Sequence, residues 1–265
     1  MRLMEEKKIS GLSFLAFSFL DRYGLFCGFT SRNTGFSQSP YDSLNLAYHV
    51  GDDRETVKKN RRLLLKKILD LDGCLYSARQ VHGNNMIEVR EDTKHLDGDI
   101  QQDADGLMTG CNDLPVMVMG ADCMLMVFAD IKKRAVCAVH AGWKGTQKSM
   151  AAGALETFST RFGSSRDSIM VFIGPGIRQC CYEVGDDLAL GFAGKKYAGG
   201  SIASRNGRRF LDLAGLNRRQ ALDFGIPAEN IFDTGACTCC SSQYFSYRRE
   251  KVTGRQAAVA MVCDR

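Results

Sequence analysis

Three side chains that could bind a metal ion lie at the ends of strand-like runs in the sequence. His82, Cys123 and His140 each sit beside such a run, next to glycines or other small residues. Functional side chains favour rigidly supported strand ends, where a pocket can open. The separations of 41 and 17 residues match no short metal-binding motif. Spacing alone therefore leaves open that either histidine is only a hydrogen-bonded structural residue.

The chemistry of these three groups favours zinc. Two imidazoles and one thiolate suit this borderline-soft ion, and three protein ligands leave a fourth tetrahedral position for water or substrate, as in catalytic sites. Zinc would keep Cys123 as the thiolate and lower the pKa of a bound water towards neutrality. Asp122, beside the thiolate, could orient a ligand histidine, although an aspartate before a strand is equally common as a turn residue.

The chain has eleven cysteines, an odd number, and its N-terminus does not read as a clean export signal. The apolar stretch Phe14–Leu20 is too short to span a bilayer. We therefore expect a cytoplasmic protein with reduced cysteines that are buried, bind metal or react. Five of the cysteines could form a second thiolate metal site or a redox pair: Cys180, Cys181, Cys237, Cys239 and Cys240. Buried or idle thiols are nevertheless commoner than either.

Length and composition indicate a globular protein. The 265 residues contain no linker, repeat or charge block, which predicts a single catalytic domain over residues 1–265. The net charge of +5 is mild, and the densest basic segment, residues 58–67, also carries an apolar stripe at helical spacing. We interpret this segment as an amphipathic helix with a solvated basic face, and expect no nucleic-acid or membrane partner.

Periodicity and capping signals predict helices at Arg54–Leu71, capped by Asp52 or Asp53, at about Thr146–Arg161, and at about Leu213–Phe224. The third should turn Leu216, Ala221 and Leu222 inward and end at Gly225. Strands come in groups rather than alternating with helices, which favours an α+β fold with mixed sheets and external helices. The predicted strands are Phe14–Leu20, Tyr23–Phe29, Met86–Val89, Val116–Met119, Met124–Ala129, Ala135–Val139, Ile169–Ile173 and Ala257–Val262.

From about Thr30 to Met261 the chain resembles the YfiH-like family. It shows seven motifs in the family order: QVHGNN, DADGLMT, GADCMLMVFAD, AVHAGWKGT, IGPGIRQCCYEVG, FLDLAGLNRRQ and FSYRREKVTGRQAA. The family was long catalogued as multi-copper polyphenol oxidases, or laccases. The resemblance instead implies phosphorolysis of purine nucleosides, with adenosine deaminase and methylthioadenosine phosphorylase activities in some members. It also implies a four-layer αββα sandwich related to the deamidase domain of cytotoxic necrotizing factor.

The resemblance places His82, Cys123 and His140 on the family's zinc ligands. It also suggests cationic side chains for phosphate, which a planar guanidinium binds well. Arg248 and Arg249 would point to opposite faces if they lay in an extended strand, so at most one would face the site. The candidates for phosphate or substrate binding are Arg32, Lys144, Arg248, Arg249 and Arg255.

The leading hypothesis is a zinc-dependent purine nucleoside phosphorylase whose partners are a nucleoside and phosphate, and in which zinc-activated water could also deaminate adenosine. A first alternative makes Cys123 and His140 the nucleophile and base of a hydrolase or deamidase. A second is copper-dependent phenol oxidation, but four histidines, of which His49 and His95 look unremarkable, are too few for several coppers. A non-catalytic scaffold would leave the three strand-end residues unexplained. Trp143 either packs behind His140 or walls the purine pocket.

Overall fold

The computed structural model describes residues 5–9, 11–93, 98–192 and 194–264. Strands predominate in these ranges, and the helices lie between groups of strands, which confirms the α+β class. The strands are β1 (Glu5–Ile9), β2 (Leu12–Ala16), β3 (Leu25–Thr30), β4 (Ser77–Arg79), β5 (Met86–Glu88), β6 (Asp99–Asp103), β7 (Gly106–Thr109), β8 (Val116–Gly120), β9 (Met124–Asp130), β10 (Ala135–Ala141), β11 (Ile169–Ile173), β12 (Glu183–Val184), β13 (Ile202–Arg205), β14 (Arg208–Leu211), β15 (Ile231–Asp233) and β16 (Gln256–Val262). The α-helices are α1 (Arg54–Leu64), α2 (Trp143–Gln147), α3 (Met150–Phe162), α4 (Asp186–Leu190), α5 (Leu213–Phe224) and α6 (Tyr247–Glu250).

Two large sheets organise the described part of the chain. One has the strand order β1-β2-β3-β16-β8, and every neighbouring pair in it is antiparallel. The other has the order β15-β11-β9-β10-β7-β5 and is mixed, because its β15–β11 and β5–β7 pairs are parallel. Two small sheets, β12-β14-β13 and β4-β6, complete the strand pairing.

The central hydrophobic core combines residues from both large sheets. Phe29 and Ala260 belong to the antiparallel sheet, while Val127 and Phe172 belong to the mixed sheet, and all four are buried. Strands β9, β10 and β16 are buried at every position. Burial on both faces explains why these strands read as continuous apolar runs rather than as alternating ones.

Helices pack against both large sheets. Leu64 of α1 packs with Met117 and Val259 of the antiparallel sheet. Phe158 of α3 and Leu216 of α5 belong to a second cluster with residues of the mixed sheet. None of the helices in the described ranges is both long enough and apolar enough to cross a membrane.

The first predicted helix is present, with a change of geometry near its end. Asp53 caps it by accepting the backbone N–H of Thr56 at 2.7 Å. The α-helical hydrogen bonds end at Leu64, and Leu65–Leu69 form a π-helical turn. The lysines and Arg62 of the basic segment are exposed, as expected for a solvated face, whereas Arg61 is buried and lies 3.6 Å from Asp99.

The second predicted helix is wrong as a continuous element, since it divides into α2 and α3. Ser149, between them, has a left-handed φ of 62°. Gln220 of α5 stabilises the break, because its side chain donates to the Thr146 carbonyl at 2.8 Å and accepts the Ala151 N–H at 3.1 Å. A long-range side chain thus replaces helical hydrogen bonds at this point.

Two further predictions need correction. The predicted strand Phe14–Leu20 ends at Ala16, and a 3-10 helix over Ser18–Tyr23 follows before β3. The third helix has the predicted bounds, with Asp212 as N-cap and Gly225 as C-cap, but Leu222 is 37% exposed instead of facing inward.

Candidate active site

A loop, a turn and a strand bring His82, Cys123 and His140 together. His82 lies in the loop before β5, Cys123 in the turn between β8 and β9, and His140 in β10. Their potential ligand atoms all lie within 4.8 Å of one another. His140 is buried, Cys123 is half-buried and His82 is exposed, so the group opens to solvent on the His82 side.

The buried Asp105 holds both histidine segments in place. Its Oδ1 lies 2.8 Å from Nδ1 of His140, and its carboxylate accepts the N–H groups of Val81 at 3.2 Å, His82 at 3.0 Å and Gly83 at 2.6 Å. Three successive N–H groups around a residue with positive φ form an anion-binding nest, and His82 has a φ of 59°. A carboxylate behind a histidine ligand fixes the ring and its tautomer.

Asp105 was not predicted from the sequence as a site residue, although it lies in the motif DADGLMT. Burial alone would raise the pKa of its carboxyl group. The hydrogen bond and charge of His140, with the backbone donors of Gly83 and Val81, outweigh burial and lower that pKa. Asp105 therefore stays ionised and makes the His140 ring more basic.

Cys123 and His140 shift each other's ionisation strongly. Burial opposes the thiolate of Cys123, but the charge and hydrogen bond of His140, helped by His82, lower the thiol pKa to about 6. Burial likewise opposes the charged His140 ring, yet Cys123 and Asp105 raise its pKa to about 9. Without a metal, the pair is therefore a thiolate and an imidazolium near neutral pH.

Asp122 does not orient a histidine, contrary to one of the two sequence interpretations. Its side chain accepts the hydroxyl of Thr238 at 2.7 Å and the backbone N–H of Arg248 at 2.6 Å, and its carbonyl accepts the N–H of Ile177 at 2.7 Å. Asp122 thereby ties two remote loops and helix α6 to the turn that carries Cys123.

Gly142 leaves room between the potential ligands. A Cβ atom at this position would lie 2.8 Å from Sγ of Cys123 and 2.9 Å from Cδ2 of His82, closer than real Cβ contacts. The space is open only because glycine has no side chain. With two imidazole nitrogens and one thiolate around it, this cradle fits a zinc ion.

A cavity of about 550 Å³ lies next to the three residues. This volume is within the usual range for small-molecule sites. Three aromatic side chains, Trp143, Tyr182 and Tyr247, line it together with the apolar Met119 and Ile177. Trp143 thus walls the pocket, and it also packs partly against the core under α3.

Four further cavity residues can carry a positive charge or a proton. Arg248 and Arg255 were expected from the sequence, whereas Lys251 and His49 were not. Arg248 is fixed by donating to the carbonyl of Glu183 at 3.0 Å. Burial and the charges of Arg255 and Arg61 lower the pKa of His49, so its ring is neutral at neutral pH.

Three expected phosphate contacts lie away from this cavity. Arg32 pairs with Glu250 at 2.5 Å and lines a different cavity, and Lys144 is exposed, 5.5 Å from the Trp143 ring. Arg249 donates to loop carbonyls, including that of Thr238 at 2.7 Å. Arg248 and Arg249 lie in α6 and not in an extended strand, and of the two only Arg248 lines the cavity. His95 lies outside the described residues.

Residues 26–263 match the family model described as multi-copper polyphenol oxidoreductase laccase. The purine nucleoside phosphorylase YlmD of Geobacillus stearothermophilus is 33% identical to the chain over 247 residues, which cover 89% of each protein. The chain belongs to the YfiH-like family. Another relative of this YfiH-like chain, the adenosine deaminase RL5 of an unknown prokaryotic organism, is 33% identical over 229 residues, covering 83% of the chain and 87% of the relative. The crystal structure of YlmD from G. stearothermophilus superimposes with a TM-score of 0.88 at 28% identity, covering 99% of both chains.

Proposed function

We propose that this YfiH-like chain is a zinc-dependent purine nucleoside phosphorylase. It would convert inosine, adenosine or methylthioadenosine plus phosphate into the free base and the sugar 1-phosphate, with adenosine deamination as a second activity. The observation that carries the proposal is the convergence of His82, Cys123 and His140 at a cavity of nucleoside size. The names of the relatives, purine nucleoside phosphorylase and adenosine deaminase, support it.

In this proposal the residues that line the cavity have separate roles. His82, Cys123 and His140 would hold the zinc, which would supply a Lewis acid next to the cavity that they line. Arg248 and Arg255 neutralise the charge of phosphate, and guanidinium groups suit this task because their donors match phosphate oxygens.

In this proposal the aromatic side chains that line the cavity bind the purine base. Tyr182, Trp143 and Tyr247 offer faces on which a purine can stack. The guanidinium group of Arg248 already lies over the Tyr182 ring, with its central carbon 5.3 Å from the ring centroid. A purine and a phosphate can therefore be held side by side at this wall.

The test is a screen of nucleosides with and without phosphate, in which base release and ammonia release are followed separately. We expect inosine and adenosine to release base only when phosphate is supplied, with ribose 1-phosphate as the co-product. Release of free ribose at the same rate in phosphate-free buffer would make the protein a hydrolase instead. Ammonia release from adenosine should not depend on phosphate.

A specific observation favours a second candidate, a cysteine hydrolase or deamidase. Cys123, His140 and Asp105 are linked in the order thiol, imidazole, carboxylate, which is the arrangement of a nucleophile, its base and the group that orients the base. His82 is superfluous in that mechanism. Its place within 4.8 Å of both other groups therefore supports the metal site.

Two substitutions separate the candidates. In the zinc enzyme, Cys123→Ser and His82→Ala each remove a ligand, so zinc content and turnover should fall together. In a cysteine hydrolase, Cys123→Ser should abolish turnover without changing the metal content, whereas His82→Ala should be tolerated. An active, metal-free enzyme that is inactivated by alkylation of Cys123 would exclude the phosphorylase mechanism.

The family description raises copper as the alternative metal. Laccase chemistry uses several coppers held by many histidines, and the chain has four histidines in all. We therefore propose zinc at this centre. Elemental analysis after purification without added metal should find zinc and little copper there, and stoichiometric copper with little zinc would support the oxidase.

The proposal also includes a four-layer αββα arrangement related to the deamidase domain of cytotoxic necrotizing factor. The three hydrophobic clusters support this layering, because one lies between the large sheets and the others lie under helices on their outer faces.

A further inference from the structure

Four cysteines gather outside the catalytic cavity, on two loops of the protein surface. The sulfur atoms of Cys180, Cys181, Cys237 and Cys240 all lie within 4.8 Å of one another. Cys180 and Cys240 are exposed, and Cys181 and Cys237 are half-buried. Nothing in the proposed phosphorolysis uses these thiols.

The backbone of the two loops directs all four thiols to one point. Cys237 and Cys240 have the C-x-x-C spacing, and Cys180 and Cys181 lie in a turn closed by the N–H of Cys181 bonding to the Arg178 carbonyl at 2.9 Å. The loops are joined beside the cysteines, since Thr238 N–H donates to the Gly176 carbonyl at 3.1 Å. The side chains of the adjacent Cys180 and Cys181 therefore converge, with both sulfurs close to that of Cys240.

The spacing of the sulfur atoms matches a four-thiolate zinc site. Zn–S bonds of about 2.3 Å place the sulfurs of a tetrahedral site about 3.8 Å apart. Here Sγ of Cys240 lies 3.6 Å from Sγ of Cys180 and 3.3 Å from Sγ of Cys181. A disulfide requires an S–S distance of about 2.0 Å and joins only two sulfur atoms, so disulfides would not explain the convergence of four thiols.

The surroundings provide the donors and cations that such a site needs. Four thiolates around Zn²⁺ carry a net charge of about −2, which nearby donors must offset. The backbone N–H groups of Arg178 and Cys240 donate to the sulfur of Cys237. Two guanidinium groups bind carbonyls of the cysteine loops, since Arg248 donates to Cys181 at 3.5 Å and Arg249 to Cys239 at 3.1 Å.

We propose that Cys180, Cys181, Cys237 and Cys240 bind a second zinc ion in a closed, structural four-thiolate site. This zinc fastens together the two loops that supply Ile177, Tyr182 and Thr238. Ile177 and Tyr182 line the catalytic cavity, and Thr238 bonds to Asp122 beside Cys123. The second ion therefore fixes one wall of the cavity without taking part in the reaction. This proposal does not depend on the reaction assigned to the cavity.

Zinc content is the first test. The full chain, purified with reductant and without added metal, should contain one more zinc than the double variant Cys237→Ser/Cys240→Ser. Cys239→Ser is the matched control, because its thiol lies on the same loop outside the cluster, and it should contain as much zinc as the unmodified chain. Equal zinc in the unmodified chain and the double variant would overturn the proposal.

Alkylation of the unmodified chain is the second test, and it does not require the variant to fold. Cys180 and Cys240 are exposed, so as free thiols they should react readily with iodoacetamide. The proposal expects peptide mapping to show both protected until a chelator is added. Rapid alkylation in the zinc-containing protein, or protection released by reductant and not by chelator, would overturn it.

Discussion

At the scale of single residues, Asp105 links the two histidines of the proposed metal centre through one carboxylate. It bonds to the ring of His140 and to the backbone that carries His82, so one substitution disturbs both. Its oxygens accept every one of these bonds, whereas an amide in the same place would have to turn an NH₂ group towards a donor. Asp105 is thus a positioning residue for the centre.

We therefore predict that Asp105→Asn lowers zinc affinity by about 10- to 100-fold, the usual effect of removing a group that supports a metal ligand. Competition with a chromogenic chelator would measure this affinity. The control is Asp103→Asn, because Asp103 is exposed on β6 and makes only a surface ion pair with Arg79. Equal affinity in the two variants would contradict the role given to Asp105.

A second prediction concerns the charge state of Cys123 after zinc is removed. The thiol pKa falls from its ordinary value of 9.0 to about 6, so the chelated protein should be alkylated at Cys123 with a midpoint near pH 6. Peptide mapping after iodoacetamide treatment at a series of pH values would measure it. His140→Asn should move the midpoint back towards that of an ordinary thiol.

The same shifts set the sign of the pH dependence of stability in the zinc-free chain. The lowered pKa of Cys123 stabilises the fold above pH 9, and this contribution is lost as the pH falls towards 6. The raised pKa of His140 stabilises it below pH 6.5, and that contribution is lost as the pH rises through 9. The two slopes have opposite signs and should largely cancel between pH 6.5 and pH 9, so the free energy of unfolding measured by urea denaturation should change little with pH across this window.

The ligand candidates could be chosen from the sequence because their signal is local. His82, Cys123 and His140 each lie beside glycines at a strand end, which can be read without knowing the fold. Asp105 and Lys251 could not be chosen, because their roles depend on which distant segments meet. Arg32 was misplaced for the same reason, since its ion pair with Glu250 spans most of the chain.

At the scale of secondary-structure elements, the junction between β10 and α2 shapes the proposed metal centre. Gly142 is the N-cap of α2, with a φ of −69° and a ψ of 176° that any residue can adopt. Glycine is therefore needed here because Cys123 and His82 leave no room for a Cβ atom, and not because of the backbone conformation.

Gly142→Ala should consequently remove activity and the zinc proposed at His82, Cys123 and His140 while the protein stays folded. Zinc analysis should find one zinc fewer than in the unmodified chain, and circular dichroism should find the same fold. Gly153→Ala in α3 is the matched control, because a Cβ there meets nothing within 4 Å. That control should keep its zinc and gain about 0.5–1 kcal/mol of stability, since alanine is the better helix former. Full zinc occupancy in Gly142→Ala would show that the cradle can widen.

Element boundaries were predictable where the signals are local. The bounds of α5 follow from Asp212 and Gly225, which act on their own helix. The break at Ser149 was not predictable, because the side chain that takes over the helical hydrogen bonds there, Gln220, lies about 70 residues away. The exposure of Leu222 likewise depends on which face α5 presents to the mixed sheet.

At the scale of the whole molecule, the core between the two large sheets joins segments from both ends of the chain. Phe172 is fully buried there, with its ring 4.2 Å from that of Phe17 and stacked on Phe232 at 5.2 Å. His140, in β10, and Cys123, in the turn that leads into β9, are attached to strands of the mixed sheet, so the geometry of the proposed metal centre depends on this core.

Replacing Phe172 with alanine should lower the free energy of unfolding by about 3–5 kcal/mol, the usual result of truncating a buried aromatic ring. Urea denaturation monitored by circular dichroism would measure it. Phe36→Ala is the control, because that side chain is 51% exposed and should change stability little. If Phe172→Ala lowers the free energy of unfolding by less than about 1 kcal/mol, the two sheets must repack to fill the space left by the ring.

The position of β16 has a consequence for how the protein reaches this structure. The strand pairs with β3 on one side and β8 on the other, and Ala258 faces Phe29 across more than two hundred residues of intervening chain. Until the ribosome has released residues 256–262, β3 and β8 each expose an unsatisfied edge. Such long-range pairing makes folding slow and leaves the nascent chain prone to aggregate. The antiparallel sheet can therefore form completely only after β16 has been synthesised and has paired with β3 and β8.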